Sequence, residues 1–178
     1  MERHARIAAL TVEGQLVAIK HEAAFHEAGH AVVAYLSAYH STAGGIELAV
    51  YGKGEFLVAL NKIKLRNAGL PPTEESAKNP VVAKDLARVL VAGLVAERIA
   101  AERDDTLVPH PPSAAPDHEL ARQILEEAGL SRKFDRFEVE ANDLLRERWE
   151  VVEALADWAF RAGSIGGADL IVFLQTRL

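Results

Sequence analysis

The sequence contains no cysteine, and this absence removes several kinds of site at once. Disulfides, iron–sulfur clusters, thiolate zinc sites and a cysteine nucleophile are all excluded. Long apolar runs are missing too: no stretch of about 18 apolar residues occurs, and the N-terminal segment MERHARIAAL opens with charged residues. From these absences we expect a cytoplasmic protein that carries no signal peptide and does not span a membrane.

Basic residues are in the minority, because 20 Lys and Arg stand against 26 Asp and Glu for a net charge of -6. Sequence-independent nucleic-acid binding and docking on anionic lipid both require a basic surface, so we expect neither partner. At 178 residues and 49% hydrophobic composition, the chain has enough material for one core. We therefore expect a single domain over residues 1–178. Its first 20 residues fit neither a clean helix nor a clean strand.

Helical periodicity dominates the rest of the chain. Asn79-Pro80 is typical of a helix start, and Gly129 occupies the position that helix ends prefer. A break at 163–167 precedes a short C-terminal helix. The apolar spacing predicts helices over 21–40, 79–102, 117–128 and 137–162.

A change of period after the first helix predicts the only β-structure. Apolar residues alternate on both sides of Gly52-Lys53-Gly54, which is the pattern of a β-hairpin. We expect strands near 46–51 and 55–65 to pair, with the 21–40 helix packed against them. The predicted fold class is α+β, mainly helical, with a small hairpin sheet and a C-terminal helical bundle.

The residues His26-Glu27-Ala28-Gly29-His30 form an H-E-x-x-H motif inside the first predicted helix. Residues four apart lie on one helix face, so both imidazoles can reach the same zinc ion. Glu27 can then serve as general base, because zinc lowers the pKa of a water molecule to about 7 and a nearby carboxylate can take its proton. The structural alternative is a pair of ordinary polar histidines on a half-exposed helix.

A catalytic zinc site needs a third protein ligand. The metzincin extension, with Gly and His three and six residues after His30, is absent. His40 falls about 280° further round the helix and cannot join the same ion. Spacing alone does not choose among the remaining candidates, which are Glu97, Glu102, His110, Asp117 and His118.

Two of these candidates have plain structural interpretations. Glu97 fits a surface residue of an amphipathic helix. Asp117 fits a carboxylate at a helix start, where the helix dipole and the orphan amide groups favour it.

The segment Phe25 to Ala34, FHEAGHAVVA, resembles the zinc-site helix in the peptidase domain of FtsH-type ATP-dependent proteases. The sequence AGLVAE at 92–97 is similar to the Gly-Arg-Ala-Ala-Glu helix of that family. Residues 117–131 resemble its Asp-Leu-x-x-Ala helix, which ends in Gly-Met-Ser. The resemblance covers about residues 20–174 and includes the hairpin.

This resemblance implies a ligand set and an activity. Zinc would be held by His26, His30 and Asp117, with Glu27 as general base. The chain would be a zinc metalloendopeptidase that hydrolyses peptides or unfolded chains, which the family binds as a strand added to the edge of the hairpin.

Two departures from the family limit what the resemblance implies. No G-x-x-x-x-G-K-[ST] motif occurs and no membrane helix precedes the peptidase segment, so unfolding of folded substrates is not intrinsic to this chain. Residues 111–116, PPSAAP, replace the family's Thr-Thr-Gly-Ala before the ligand helix. The sequence leaves open a homo-oligomer and a separate ATPase in trans. Two other functions also stay open: an inactive zinc-binding relative with a regulatory or interaction role, and a helical interaction domain with a coincidental motif.

Overall fold

The computed structural model describes residues 12–49, 54–130 and 134–178. It is mainly helical with one small antiparallel sheet, which confirms the predicted fold class. The helices are α1 Val12–Leu36, α2 Lys62–Asn67, α3 Pro80–Arg103, α4 Ala115–Glu127, α5 Phe134–Glu147, α6 Trp149–Ala162 and α7 Gly167–Gln175. The strands are β1 His40–Leu48, β2 Gly54–Leu60 and β3 Ser164–Ile165.

Helix α1 lies at the centre of the molecule. Every residue from 22 to 34 is buried, and the helix packs against α3, α6 and both hairpin strands. A helix that is buried on all sides belongs in the core. Its bounds differ from the predicted 21–40, because residues 12–20, which showed no clear pattern, extend it at the N-terminus. At the other end the chain leaves the helix after Leu36, which is 37% exposed.

The predicted hairpin is confirmed. Strands β1 and β2 pair antiparallel with Ile46 opposite Phe56, and β3 pairs with the other side of β1 in the order β2-β1-β3. The backbone N–H of Leu48 also donates to the carbonyl oxygen of Gly163 at 2.8 Å. The alternation places Ile46 and Leu48 in the core. Of the predicted turn residues, Gly54 is the first residue of β2, whereas Gly52 and Lys53, like Val50, fall outside the described residues.

Both strand bounds needed correction. Strand β1 begins at His40, not near 46, and its pairing with β2 is irregular between Thr42 and Ile46. The second strand ends at Leu60 because Asn61 caps a short helix. The Asn61 Oδ1 atom accepts hydrogen bonds from the next helix's first amide groups at 3.0 and 3.1 Å, which turns the predicted strand end into α2.

The predicted start of α3 is confirmed, with Asn79 as N-cap and Pro80 in the first turn. This helix is buried along most of its length and packs against α1. The predicted helix over 137–162 is in fact two helices, α5 and α6, because the backbone leaves the helical region at Arg148. Among the described residues, no helix combines the length and the hydropathy that a membrane crossing requires.

Candidate metal centre

The two motif histidines lie on the buried face of α1, as their spacing predicted. His26 is 7% exposed and His30 is 6% exposed. Between them, Gly29 allows α1 and α3 to approach closely, since a Cβ there would lie 2.7 Å from both the Ala92 carbonyl oxygen and the Ala96 methyl. The small residues of the motif therefore set the distance between the two central helices.

Helix α3 fixes the orientation of both imidazole rings. The Nδ1 atom of His30 donates to the carbonyl oxygen of Val89 at 2.8 Å, and Nδ1 of His26 lies 2.5 Å from Oε1 of Glu97. A carbonyl or carboxylate partner at Nδ1 places the hydrogen on that nitrogen and leaves Nε2 to act as a ligand. Both Nε2 atoms then face the same point.

Asp117 completes the group. It lies in the first turn of α4, and its Oδ2 atom is 3.4 Å from Nε2 of His26 and 3.3 Å from Nε2 of His30. The three ligand atoms all lie within 4.8 Å of one another. A tetrahedral ion with bonds of about 2.0–2.1 Å separates its ligand atoms by about 3.3 Å, so this donor set fits zinc.

The other four candidates point elsewhere. Glu97 bonds the Nδ1 side of His26, which is the side away from the shared point. The His118 ring packs edge-on against Phe134, with the ring centroids 5.3 Å apart. Glu102 is exposed and accepts a bond from an arginine, Arg146, at 2.6 Å. His110 lines the cavity but does not belong to the three-ligand group.

Space for an ion comes from Gly93 of α3. A Cβ at this position would lie 2.5 Å from Nε2 of His30 and would overlap Nε2 of His26 as well. Any side chain at residue 93 would therefore fill the point on which the ligand atoms converge.

The ligand side chains strongly perturb one another's pKa values. Burial alone would lower the pKa of His26, but its bonds to Asp117 and Glu97 outweigh burial and raise it to about 10. Burial would likewise raise the pKa of Asp117, but the bonds from His26 and His30 hold it well below its usual range. A metal ion and a proton therefore compete for the same nitrogen, and metal binding at this site would release protons.

Glu27 sits beside the ligands without joining them. It is 5% exposed, lines the same cavity, and packs closely against Gly54 of β2. Burial raises its pKa, and the neighbouring charges of His30 and His26 oppose that shift. No described residue forms a hydrogen bond with its carboxylate. Glu27 therefore has the position and the basicity expected of a proton acceptor.

Sequence reasoning did not predict the roles of two carboxylates at this site. Glu97 was considered either as a third ligand or as a surface residue of an amphipathic helix, yet it is 2% exposed and also accepts a hydrogen bond from the backbone N–H of His110 at 2.6 Å. Glu22 is 7% exposed and accepts a bond from the backbone N–H of Val108. Helical spacing could have revealed Glu22, because it is one turn before His26, whereas nothing in the sequence of α3 shows that α1 covers Glu97.

The site opens into a cavity of about 740 Å³ between α1, β2 and the segment that leads into α4. Phe56 of β2 forms one wall and stacks against His30 with the ring centroids 6.3 Å apart. No protein-family model matches this chain, and no curated protein matches it either. The similarity to FtsH-type peptidases therefore depends on the sequence motifs alone.

Proposed function

We propose that this chain is a zinc-dependent metallopeptidase domain of the FtsH type. The observation that carries the proposal is the convergence of His26, His30 and Asp117 on one point of a cavity that also contains Glu27. The donor set and the room left by Gly93 fit zinc. When bound there, zinc would supply the Lewis acidity that polarises a peptide carbonyl and activates water.

The remaining chemistry belongs to side chains of this chain. Glu27 takes a proton from the attacking water and delivers it to the leaving amine, and its raised pKa brings it closer to neutral operating pH. Glu97 holds His26 in the orientation that presents Nε2 to the ion. Its second oxygen accepts the N–H bond from His110, so the same carboxylate also positions the segment before α4.

Substrates would be peptides or already unfolded chains. Strand β2 is at the edge of the sheet, and Gly54, Glu55 and Phe56 at its start line the cavity. A peptide that adds as a strand to β2 would thus pass beside the metal ligands. A cytoplasmic location, a homo-oligomer and a separate ATPase in trans stay predictions from the sequence.

The test measures metal content and peptide hydrolysis on the same preparation. We expect about one zinc per chain and hydrolysis of unfolded casein or a peptide library by the wild type. Glu27→Gln should keep the zinc and lose roughly 10²–10⁴-fold in rate. Glu153→Gln, which removes an exposed glutamate of α6, is the control for loss of one negative charge.

Three results would contradict parts of this proposal. A zinc-loaded wild type that cuts nothing would leave a non-catalytic zinc-binding domain. A protein that takes up no zinc would leave a helical interaction domain. Loss of zinc in Glu27→Gln would make Glu27 a structural part of the metal site and not its base.

A further inference from the structure

The cavity contains more carboxylates than the proposed reaction uses. Five acidic residues line it, and no Lys or Arg among the described residues does so. Asp117 serves as a ligand, Glu97 holds His26 and the backbone of His110, and Glu27 serves as base. The two that remain are Glu22 and Glu55.

Glu22 lies on the same face of α1 as the motif histidines. It precedes His26 by four residues, which places it about 6 Å along the helix axis from the ligand. Its side chain is more than nine-tenths buried, and one oxygen accepts the backbone N–H of Val108. The other oxygen forms no hydrogen bond with the described residues.

The fold gives no reason for the charge on Glu22. A glutamine has the same shape and could accept the same N–H bond without bringing a charge into the core. The nearby carboxylate of Glu97 repels that charge further. A buried charge without a partner is strongly unfavourable, so this carboxylate is suited to a cation that enters the cavity.

Glu55 is a second cavity carboxylate whose charge the fold does not explain. It is paired directly with Glu47 across the β1–β2 hairpin, and like charges opposite each other destabilise a sheet. Glu55 lines the cavity and also a shallow groove that continues past Glu47 and Ser164. The acidic lining therefore extends from the metal-ligand group to Glu55 on β2 and across to Glu47 on β1.

We propose that this cavity selects substrates that carry a positive charge next to the scissile bond, and that Glu22 is the residue that determines this specificity. The inference rests on the proposed peptidase function. The cation is an ammonium or guanidinium group, from a lysine or arginine side chain or from a free peptide N-terminus. Glu55 adds a weaker attraction, because it is exposed to solvent.

The experiment compares matched peptides that differ at one position beside the cleaved bond, with Lys or Gln in one pair and Arg or citrulline in another. For the wild type we expect kcat/KM to be roughly 10–100-fold higher for the charged member of each pair. Glu22→Gln should bring this ratio close to one, while Glu153→Gln should leave it unchanged. Peptides with acetylated and free N-termini show which source of positive charge is recognised.

A binding measurement separates this inference from the proposed function. Kd values for the same peptides, labelled at the C-terminus, are measured on zinc-loaded Glu27→Gln and on Glu22→Gln/Glu27→Gln. On Glu27→Gln the charged peptides should bind more tightly than the neutral ones. On Glu22→Gln/Glu27→Gln the two kinds of peptide should bind equally well. Equal affinities for charged and neutral peptides, or a preference that survives Glu22→Gln, would overturn the inference even if hydrolysis is robust. A charge preference in binding without any hydrolysis would support the inference and contradict the peptidase proposal.

Discussion

Two histidine–carboxylate pairs connect α1 and the strand after it to α3, one at each end of the buried part of α1. At one end, His26 Nδ1 lies 2.5 Å from Glu97, and at the other, His40 Nδ1 lies 2.8 Å from Asp85. All four side chains are buried. The first pair lines the cavity at the metal-ligand group, whereas Asp85 of the second pair is bonded to Ser37 and Arg88. Burial and pairing alone therefore do not distinguish a candidate site from a structural contact.

The carboxylates at the two ends differ in their hydrogen-bond donors. Asp85 accepts bonds from Ser37, His40, Arg88 and two backbone N–H groups. Burial would raise the pKa of Asp85, but the bonds from His40 and Ser37 outweigh burial and lower it. Glu27 has no such donors among the described residues, so burial prevails and its pKa rises. The number of donors, more than the depth of burial, decides the direction of the shift.

The largest expected effect is on the metal. Asp117→Ala removes one of the three proposed ligands, and we expect zinc affinity to fall by about 10³-fold or more, beyond the 10–100-fold typical of residues that only support a ligand. Zinc stoichiometry and competition with a chelator measure this. His118→Ala is the matched control, because its ring faces Phe134 and should leave the metal in place. Full zinc occupancy in Asp117→Ala would overturn the ligand assignment.

The second effect is at the other end of α1. Asp85→Ala leaves buried donors, including His40, without their acceptor, and we expect the free energy of unfolding to fall by about 3–5 kcal/mol. Urea denaturation measures this, with Asp143→Ala on the surface of α5 as a control expected within about 0.5 kcal/mol of wild type. Zinc per folded molecule should not change. If Asp85→Ala lost zinc while folded, the two ends of α1 would not be functionally separate.

A smaller effect on zinc comes from Glu97. The ligand set that the family resemblance implies does not include Glu97, but its bond to His26 gives it an expected effect on the metal. We now predict that Glu97→Gln lowers zinc affinity roughly 10–100-fold, because a neutral acceptor supports the imidazole less well. Chelator competition against wild type and Asp117→Ala checks whether the loss is intermediate. An unchanged affinity would mean that the Glu97 bond is only structural.

The smallest effect concerns pH and stability. Burial raises the pKa of Glu22 from its ordinary value of 4.5 to about 7, the Val108 N–H bond opposes this, and Glu97 adds to it. The folded state thus binds a proton that the unfolded state has released. The contribution of Glu22 to the free energy of unfolding is therefore largest below about pH 4.5 and is lost as the pH rises through about 7.

Glu22→Gln should remove that decline. We expect a gain of about 1 kcal/mol in the free energy of unfolding above pH 7 and little change at pH 4.5, after allowing for the buried amide's own missing partners. Denaturant unfolding of metal-free wild type and variant across this pH range measures the difference. A variant that is less stable than wild type at pH 8 would contradict this.

Local signals in the sequence were sufficient for much of the fold. Helix starts such as Asn79-Pro80 and the alternation around Ile46 depend on neighbouring residues, and both predictions are confirmed. The break at Arg148 could not be predicted because the apolar stripe continues across it. The capping of α2 by Asn61 was missed because the apolar alternation of the preceding strand continued into that segment.

For the site, the sequence predicted the pair of histidines but could not derive the third ligand. Asp117 lies 87 residues beyond His30 in the sequence. The packing of α4 against α3 brings its Oδ2 atom to 3.3 Å from Nε2 of His30. Its choice over His118 came from family resemblance. The role of Glu97 is also a tertiary property, since the spacing of α3 does not reveal that α1 covers it.

The short strand β3 has a consequence for which edge of the sheet is open to another strand. It pairs with Ile46 and Glu47 on the side of β1 away from β2, and α7 packs against β1 behind it. The C-terminal segment therefore covers one edge of β1, and the open edge of the described sheet is the one beside the candidate metal ligands. By pairing with β1, residues 164–165 leave β2 as the strand with an unpaired edge in the described sheet, and this is the edge on which the proposed peptidase would bind a substrate strand.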